Sequence, residues 1–533
     1  MNFPLPFIDK DRPLAPDQAV NGQPIIALTD GELSQLADKG EQVLIDAGVQ
    51  IYQRGGKLVR PVIEEVDAAH KRKTRVVQLV EIDATYLRDL LCRHAVWVKY
   101  NSREKKWRQT NPPREIAEIM LARAGDWKIK SVAGVISAPT LRPDGSLLIE
   151  PGYDEATRLL LVDPPQMPAM PNEPSKADAQ KALALLEGLL VGYPFVGDVD
   201  KSVALSALIT PVARAAFPVA PMHVARAPVP GSGKSHLFDT AAAIATGQRM
   251  PVISKGDSEA ELEKRLGTAY MAARPLINID NVNGGLGGDA LCQLIERPVV
   301  NVRILGLSKD VRVEARGTTL TATGNNLTLV GDVCRRAITS TLDPRMERPE
   351  LRQFSFNPVD KVLANRGEYI AAALTICRAY IIAGSPAKAT PKLASFEGWS
   401  DIVRSALMWL GKADPIQSME TARAEDPVLG EIGDMLEAWR AAVGTGSDTR
   451  LKTADVLVLS ESASRAHEGA DPEPTHPALN AALFAIARRN RANKPDAKML
   501  GNWLRDYKGR VVDGHRFQCA PRGRVNEWWV EAI

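Results

Sequence analysis

The feature that most constrains this chain is the run Pro-Gly-Ser-Gly-Lys-Ser at Pro230–Ser235. The preceding "PMHVAR" reads as a short apolar strand, and "SHLFDTAAAIATG" reads as an Ala-rich helix ended by Gly247. Glycines between a strand and a helix N-terminus let the backbone curl so that its N–H groups face one concavity. The helix dipole adds positive charge there, and the result is a phosphate cradle. In that reading Pro230, Gly231, Ser232, Gly233, Lys234, Ser235 and His236 form the cradle. Lys234 reaches the β and γ phosphates and Ser235 offers its hydroxyl to Mg²⁺, so ATP and Mg²⁺ are the implied cofactors. The position that opens the usual pattern carries Pro228 instead of Gly, which stiffens the entrance and leaves the phosphate-contacting half intact.

Such a loop needs a second strand with an acid for the metal. "RPLINIDN" supplies it, with Asp280 placed 46 residues after Lys234 at the expected strand end. Between the two lie a strand, "PVIS", and a helix, "SEAELEKRLGTAYMAA". A strand inserted between the motifs marks the additional-strand branch of P-loop ATPases. In that branch a Glu that activates water often follows the metal-binding Asp, but here the residue is Asn281. Either another acid such as Glu296 takes that role or hydrolysis is slow.

The segment "VNVRILGLSKDVRVEARGTTLTATGNN" reads as strand, tight turn, strand, then a further strand ending at Asn325-Asn326. "GDVCRRAITSTLDPRMERPELRQF" follows with paired arginines. Together with the loop and Asp280, this resembles the AAA+ replicative helicases of phages, plasmids and integrated mobile elements, related to superfamily III. "GVISAPTLRPDGSLLIEPGYDEATRLLL" is similar to the module ahead of the motor in phage and plasmid primase–helicases. The resemblance covers residues 178–360 best and 130–165 less well.

It implies that Lys234, Ser235 and Asp280 bind nucleotide and metal, and that Asn325 or Asn326 senses the γ-phosphate. It also implies that Arg335 or Arg336 reaches a neighbouring subunit's ATP, and that Lys309 touches DNA in a central pore. A homo-hexamer around single-stranded DNA is the family expectation.

Outside the motor, a Pro-rich linker, "DPPQMPAMPNEP", closes an α+β N-terminal region. That region predicts a helix in "ELSQLADKGEQVLIDAG", a strand in "TRVVQLVEI" and a hairpin at Asp144-Gly145. It lacks the clustered acids of a polymerising primase, so no primase activity is expected. Trp97, Tyr100 and Trp107 interleave with Lys and Arg in "VWVKYNSREKKWRQ", a pattern that suits either single-stranded DNA or a core-packed hairpin. From Arg488 to Arg524 there are eleven Lys/Arg against three Asp. Helices followed by a β-hairpin there suggest a winged helix on duplex DNA, with Arg505 and Lys508 on one helix face and Arg522 and Arg524 in the wing.

The expected architecture is therefore α/β, an AAA+ P-loop core flanked by an α+β region and a winged-helix-like domain. Its divisions are 1–162, a linker at 163–177, the core at 178–360, a helical region at 361–442 and the basic domain at 443–533. A net charge of +3 excludes a uniformly basic nucleic-acid coat. The five cysteines form no Cys-x-x-Cys pair and no zinc spacing. No secretory leader or membrane span is expected, which points to the cytoplasm. An origin-binding initiator or loader, or a nucleotide-gated DNA-binding switch with little hydrolysis, are the rival functions.

Overall fold

The computed structural model describes residues 22–303, 310–386, 388–462, 474–487, 494–523 and 525–533. These fall into two compact units. The first holds the described residues up to Gly284, Asp289–Leu327 and Arg336–Ser418; the second holds Gly285–Gly288, Thr328–Arg335 and Met419–Ile533. Lys309 and Arg524 lie outside the described residues.

At the centre of the first unit is a five-stranded sheet. Its strands, numbered in chain order, are β1 (Met222–Ala227), β2 (Val252–Ser254), β3 (Leu276–Leu286), β4 (Thr319–Leu329) and β5 (Ala337–Thr341). They lie side by side in the order β2-β3-β4-β1-β5, and β1 runs parallel to both β4 and β5, as β2 does to β3. A parallel sheet is stable only with both faces covered, and β1 and β4 are accordingly buried runs of Val, Ala, Leu and Thr. The helix after the glycine-rich loop, α1 (Lys234–Thr246), packs on this sheet and is buried along Leu237, Phe238 and Ile244. Arg366 closes its far end, donating from Nε to the Ile244 carbonyl at 3.0 Å and from Nη2 to the Ala245 carbonyl at 2.8 Å. A cation there satisfies orphan carbonyls and complements the helix dipole.

Both strands that carry site residues run further than the sequence suggests. β3 continues past Asp280 to Leu286, and β4 continues past Asn325 to Leu329. Each turns at an Asn in the left-handed region, Asn281 at φ +53° and Asn326 at φ +49°. Asn tolerates that conformation better than most residues, and the local kink sets Asp280 and Asn325 apart from the strand continuations.

The N-terminal region belongs to the same compact unit as the sheet. Its own core gathers Leu36, Leu44, Leu87, Leu91, Trp97, Ile116 and Trp127. The expected helix occupies Leu33–Asp46, the expected strand Arg72–Glu81, and the Asp144-Gly145 turn joins Thr140–Leu141 to Leu147–Leu148. Arg54 ties this region to the elements around the five-stranded sheet. Its buried guanidinium donates to the carbonyls of Met271 (3.1 Å), Tyr270 (2.6 Å) and Glu314 (3.0 Å), and burial pulls its pKa down to about 10.

The second unit is built from helices Pro427–Val443, Thr453–Glu461, Pro477–Ala487 and Ala497–Asp506 and a three-stranded antiparallel sheet. The sheet places Val525–Ala532 between Leu451–Lys452 and His515–Arg522. Helix Pro427–Val443 lies ahead of the boundary expected at residue 443, yet Ile432, Met435 and Trp439 are buried in one cluster with Leu483, Leu504, Phe517 and Trp528. That shared apolar core joins the helix to the C-terminal unit. Among the described residues no helix is long and apolar enough to cross a membrane.

Replacing Arg54 with Met would strand three or more buried carbonyls. It is expected to lower unfolding free energy by about 3 kcal/mol, read as a shifted urea midpoint.

Candidate nucleotide site

The glycine-rich loop leaves β1 directly opposite Asn325 of β4, since Ala227 pairs with Asn325 in the sheet register. Gly231 and Gly233 take φ values of +75° and +100°, the conformations that turn successive N–H groups toward one point. Ser232 stiffens the loop by donating its hydroxyl to the Val229 carbonyl at 2.6 Å. The ring of Tyr193 lies against Gly233, at ordinary contact distance from where a side chain would begin.

Lys234 is poised over the sheet. Its Nζ donates to Asn325 Oδ1 at 2.7 Å and to the Val229 carbonyl at 3.2 Å. Burial pulls its pKa below the ordinary lysine value, and the nearby Asp280 carboxylate opposes that shift. Asp280 in turn accepts a hydrogen bond from the Thr323 hydroxyl at 2.6 Å, which fixes one carboxylate oxygen. β3 and β4 approach so closely here that a Cβ on Gly324 would sit 2.1 Å from the Val282 carbonyl oxygen. Only glycine fits.

These groups wall one cavity of about 810 Å³. All seven loop residues from Pro230 to His236 line it, with Asp280, Asn281, Thr323, Gly324 and Asn325. Burial holds His236 below the ordinary imidazole value. The volume is in the range of small-molecule and cofactor sites. Ser235 and Asp280 offer hard oxygen donors on the same cavity, a set that suits Mg²⁺, which keeps several waters and takes only one or two protein ligands.

Four further lining residues come from far upstream: Asp67, Ala68, His70 and Lys71. They sit at the tip of a long hairpin, Lys57–Ala68 with Arg72–Glu81. No local motif announces them. Asn326 is not among the lining residues, and neither is Glu296. Glu296 instead accepts from Arg336 Nε at 2.6 Å, and that arginine side chain is 4 % exposed.

Arg336 is therefore held inside the first unit, whereas Arg335, in the second unit, has a 44 % exposed side chain that also pairs with Asp332. Within the second unit Arg335 shares a cavity of about 320 Å³ with Arg423, Arg510, Cys334 and the buried Asp426.

The expected DNA contacts are dispersed. Trp97 is core, buried with its indole N–H donating to the Leu91 carbonyl, whereas Trp107 packs edge-on against the exposed Tyr100 at 5.4 Å. Arg505 and Lys508 are exposed near the end of helix Ala497–Asp506 and just beyond it. Arg522 stands at the tip of the C-terminal hairpin and bonds Glu527 at 2.8 Å.

No family model matches the chain, and no curated protein matches it. Solved structures do resemble it. The A form apo structure of NrS-1 C terminal region-CTR matches with a TM-score of 0.33 and 12% identity over 85% of this chain and 100% of that one. The SCCmec type IV Cch active helicase matches with a TM-score of 0.31 and 11% identity over 91% and 97%. A JCV helicase matches with a TM-score of 0.21 and 12% identity over 50% and 65%.

Gly324→Ala is expected to part β3 from β4, lowering stability by about 2 kcal/mol and weakening nucleotide binding. A thermal melt and a fluorescent-nucleotide titration read the two effects.

Proposed function

We propose that the chain is an AAA+ P-loop ATPase that couples ATP binding and hydrolysis to movement along or unwinding of DNA, working as a ring oligomer in the replication of a phage or mobile element. The observation that carries the ATPase reading is the convergence of Lys234, Asp280 and Asn325 from three adjacent strand ends on one cavity. The strand order β2-β3-β4-β1-β5, with the loop after β1, supports it further.

In this reading the incoming phosphates displace Asn325 from Lys234, so the sensing amide is released at the moment the γ-phosphate arrives. Lys234 then faces the β and γ phosphates, and the loop N–H groups hold the remaining charge. Ser235 and Asp280 would hold Mg²⁺, which neutralises charge on the transferring phosphoryl group. Thr323 keeps the Asp280 carboxylate oriented. Of the arginine pair, Arg335 suits a role toward a neighbouring subunit, because Arg336 is committed to Glu296.

For the second unit we favour a winged helix. The order helix, short strand, helices, then a hairpin, with Val525–Ala532 central in the sheet, supports that reading. Helix Ala497–Asp506 and the Arg522 hairpin tip are then the DNA-facing elements.

A slowly hydrolysing nucleotide switch is the second reading. It is favoured by Asn281, whose left-handed backbone disfavours the Glu that usually follows the metal-binding Asp.

The deciding experiment is ATP turnover of purified protein with and without single-stranded DNA. A motor is expected to be stimulated by DNA and to lose on the order of a hundredfold or more in Lys234→Ala. Tight ATP binding with negligible, DNA-insensitive turnover would favour the switch. The two arginines separate in the same assay. Arg335→Ala is expected to lose turnover by about a thousandfold while melting normally. Arg336→Ala is expected to lose about 3 kcal/mol of stability by removing a buried guanidinium that pairs with the half-buried Glu296.

A further inference from the structure

The nucleotide cavity has a wall that the loop, Asp280 and Asn325 do not account for. The hairpin Lys57–Ala68/Arg72–Glu81 reaches in from the N-terminal region and ends in a three-residue turn, Ala69-His70-Lys71, whose last two residues line the cavity. His70 and Lys71 both have positive φ, +58° and +57°. Outside glycine, that backbone is common only for Asn and Asp. Placing His and Lys there costs backbone energy, and strain of that kind concentrates at functional positions.

The hairpin tip is bolted to the motor. Ala68 bridges Pro251, just ahead of β2, and the Thr74 hydroxyl donates to the Arg249 carbonyl at 2.9 Å. Arg72 pairs at 2.9 Å with Asp239, a side chain only 1 % exposed on the very helix that follows the glycine-rich loop. The Arg72 Nε also donates to the Ala69 carbonyl at 3.0 Å across the turn. The tip therefore keeps its place relative to the loop helix.

Charge bookkeeping on this wall leaves a cation. Asp67 is matched by Lys73 at 2.6 Å. Among the described residues neither Lys71 nor His70 has an ion-pair partner, and both are exposed at the cavity. Position then indicates which phosphate is faced. The loop leaves β1, Lys234 is bonded to Asn325 on β4, Asp280 follows on β3, and the hairpin lies beside β2. Crossing the strand ends in that direction leads away from the loop and past the γ-phosphate position reached by Lys234.

We infer that Lys71 is a nucleotide-binding residue supplied in cis by the N-terminal hairpin, pairing with the terminal phosphate of a nucleoside triphosphate. This rests on the reading of the cavity as a nucleotide site and adds a discriminator to it. A charge-assisted contact to the last phosphate favours triphosphate over diphosphate. Because the hairpin continues into the N-terminal fold, the contact also reports nucleotide state to that region.

The test is equilibrium binding of a non-hydrolysable ATP analogue and of ADP to the full chain, comparing wild type with Lys71→Ala, Lys71→Arg and Lys234→Ala. Lys71 is exposed at a hairpin tip, so Lys71→Ala should fold normally, and a melting curve checks this. The expected result is about tenfold weaker binding of the ATP analogue to Lys71→Ala, ADP affinity within about twofold of wild type, and retention in Lys71→Arg. Equal affinities of Lys71→Ala and wild type for both ligands, or equal losses for both, would overturn the role of Lys71 while a defective Lys234→Ala keeps the nucleotide site standing. A wild type that binds neither ligand would overturn both.

Discussion

The register between β1 and β4 is the constraint on which the site depends. Because Ala227 stands opposite Asn325, the glycine-rich loop begins where β4 delivers its amide, and Lys234 needs no rearrangement to reach it. The neighbouring register, Ser254 opposite Asp280, aligns the ends of β2 and β3 in the same way. A one-residue slip in either pair would turn the functional side chain to the opposite face of the sheet. Buried apolar residues on both faces oppose such a slip, so the core of the sheet and the geometry of the cavity are one problem in packing. Gly324 is the sharpest expression of this, since the separation of β3 and β4 at the site leaves no room for even a methyl group.

Much of this arrangement was legible in the residues. The loop, the helix after it and the β3 strand announce themselves through composition and punctuation that act over a few neighbours. The hairpin before β4 was equally readable, and it forms as Val299–Arg303 paired with Asp310–Glu314. Strand ends are less legible. The strand continuations past Asp280 and Asn325 depend on two Asn residues adopting left-handed backbone, which nothing in a local pattern demands. A domain edge likewise depends on contacts far along the chain. Helix Pro427–Val443 looks like the tail of the preceding helical region until Trp439 is found packed edge-on to Phe517 at 5.4 Å.

What the sequence could not disclose was long-range convergence. Lys71 sits in a polar, charged hairpin tip that reads as a solvated turn, and its place in the cavity follows from contacts made by Ala68, Arg72 and Thr74 to Pro251, Asp239 and Arg249. Arg54 is the same kind of residue, an ordinary strand cation in sequence and a buried strut in the fold. The interleaved aromatics split in the opposite sense. Trp97 is open to a DNA role by pattern, and apolar packing claims it, whereas Tyr100 is exposed on the same sheet and Trp107 is half-buried against Val96 and Val98. Periodicity alone does not distinguish a stacking platform from a core.

The hairpin changes how the N-terminal region should be regarded. A tethered adaptor would touch the sheet unit through a linker and little else. Here Arg54 donates to carbonyls of Met271, Tyr270 and Glu314, and Arg72 neutralises a buried carboxylate on the loop helix itself. A buried guanidinium at Arg54 and a buried carboxylate at Asp239 are both costly without such partners, so neither region is as well satisfied without the other. The cavity wall is built by both. A shift of the loop helix would reach the hairpin through the Arg72–Asp239 pair, and its two strands continue into the N-terminal sheet. Coupling of that sort requires no moving linker, only a rigid element whose two ends report to different sites.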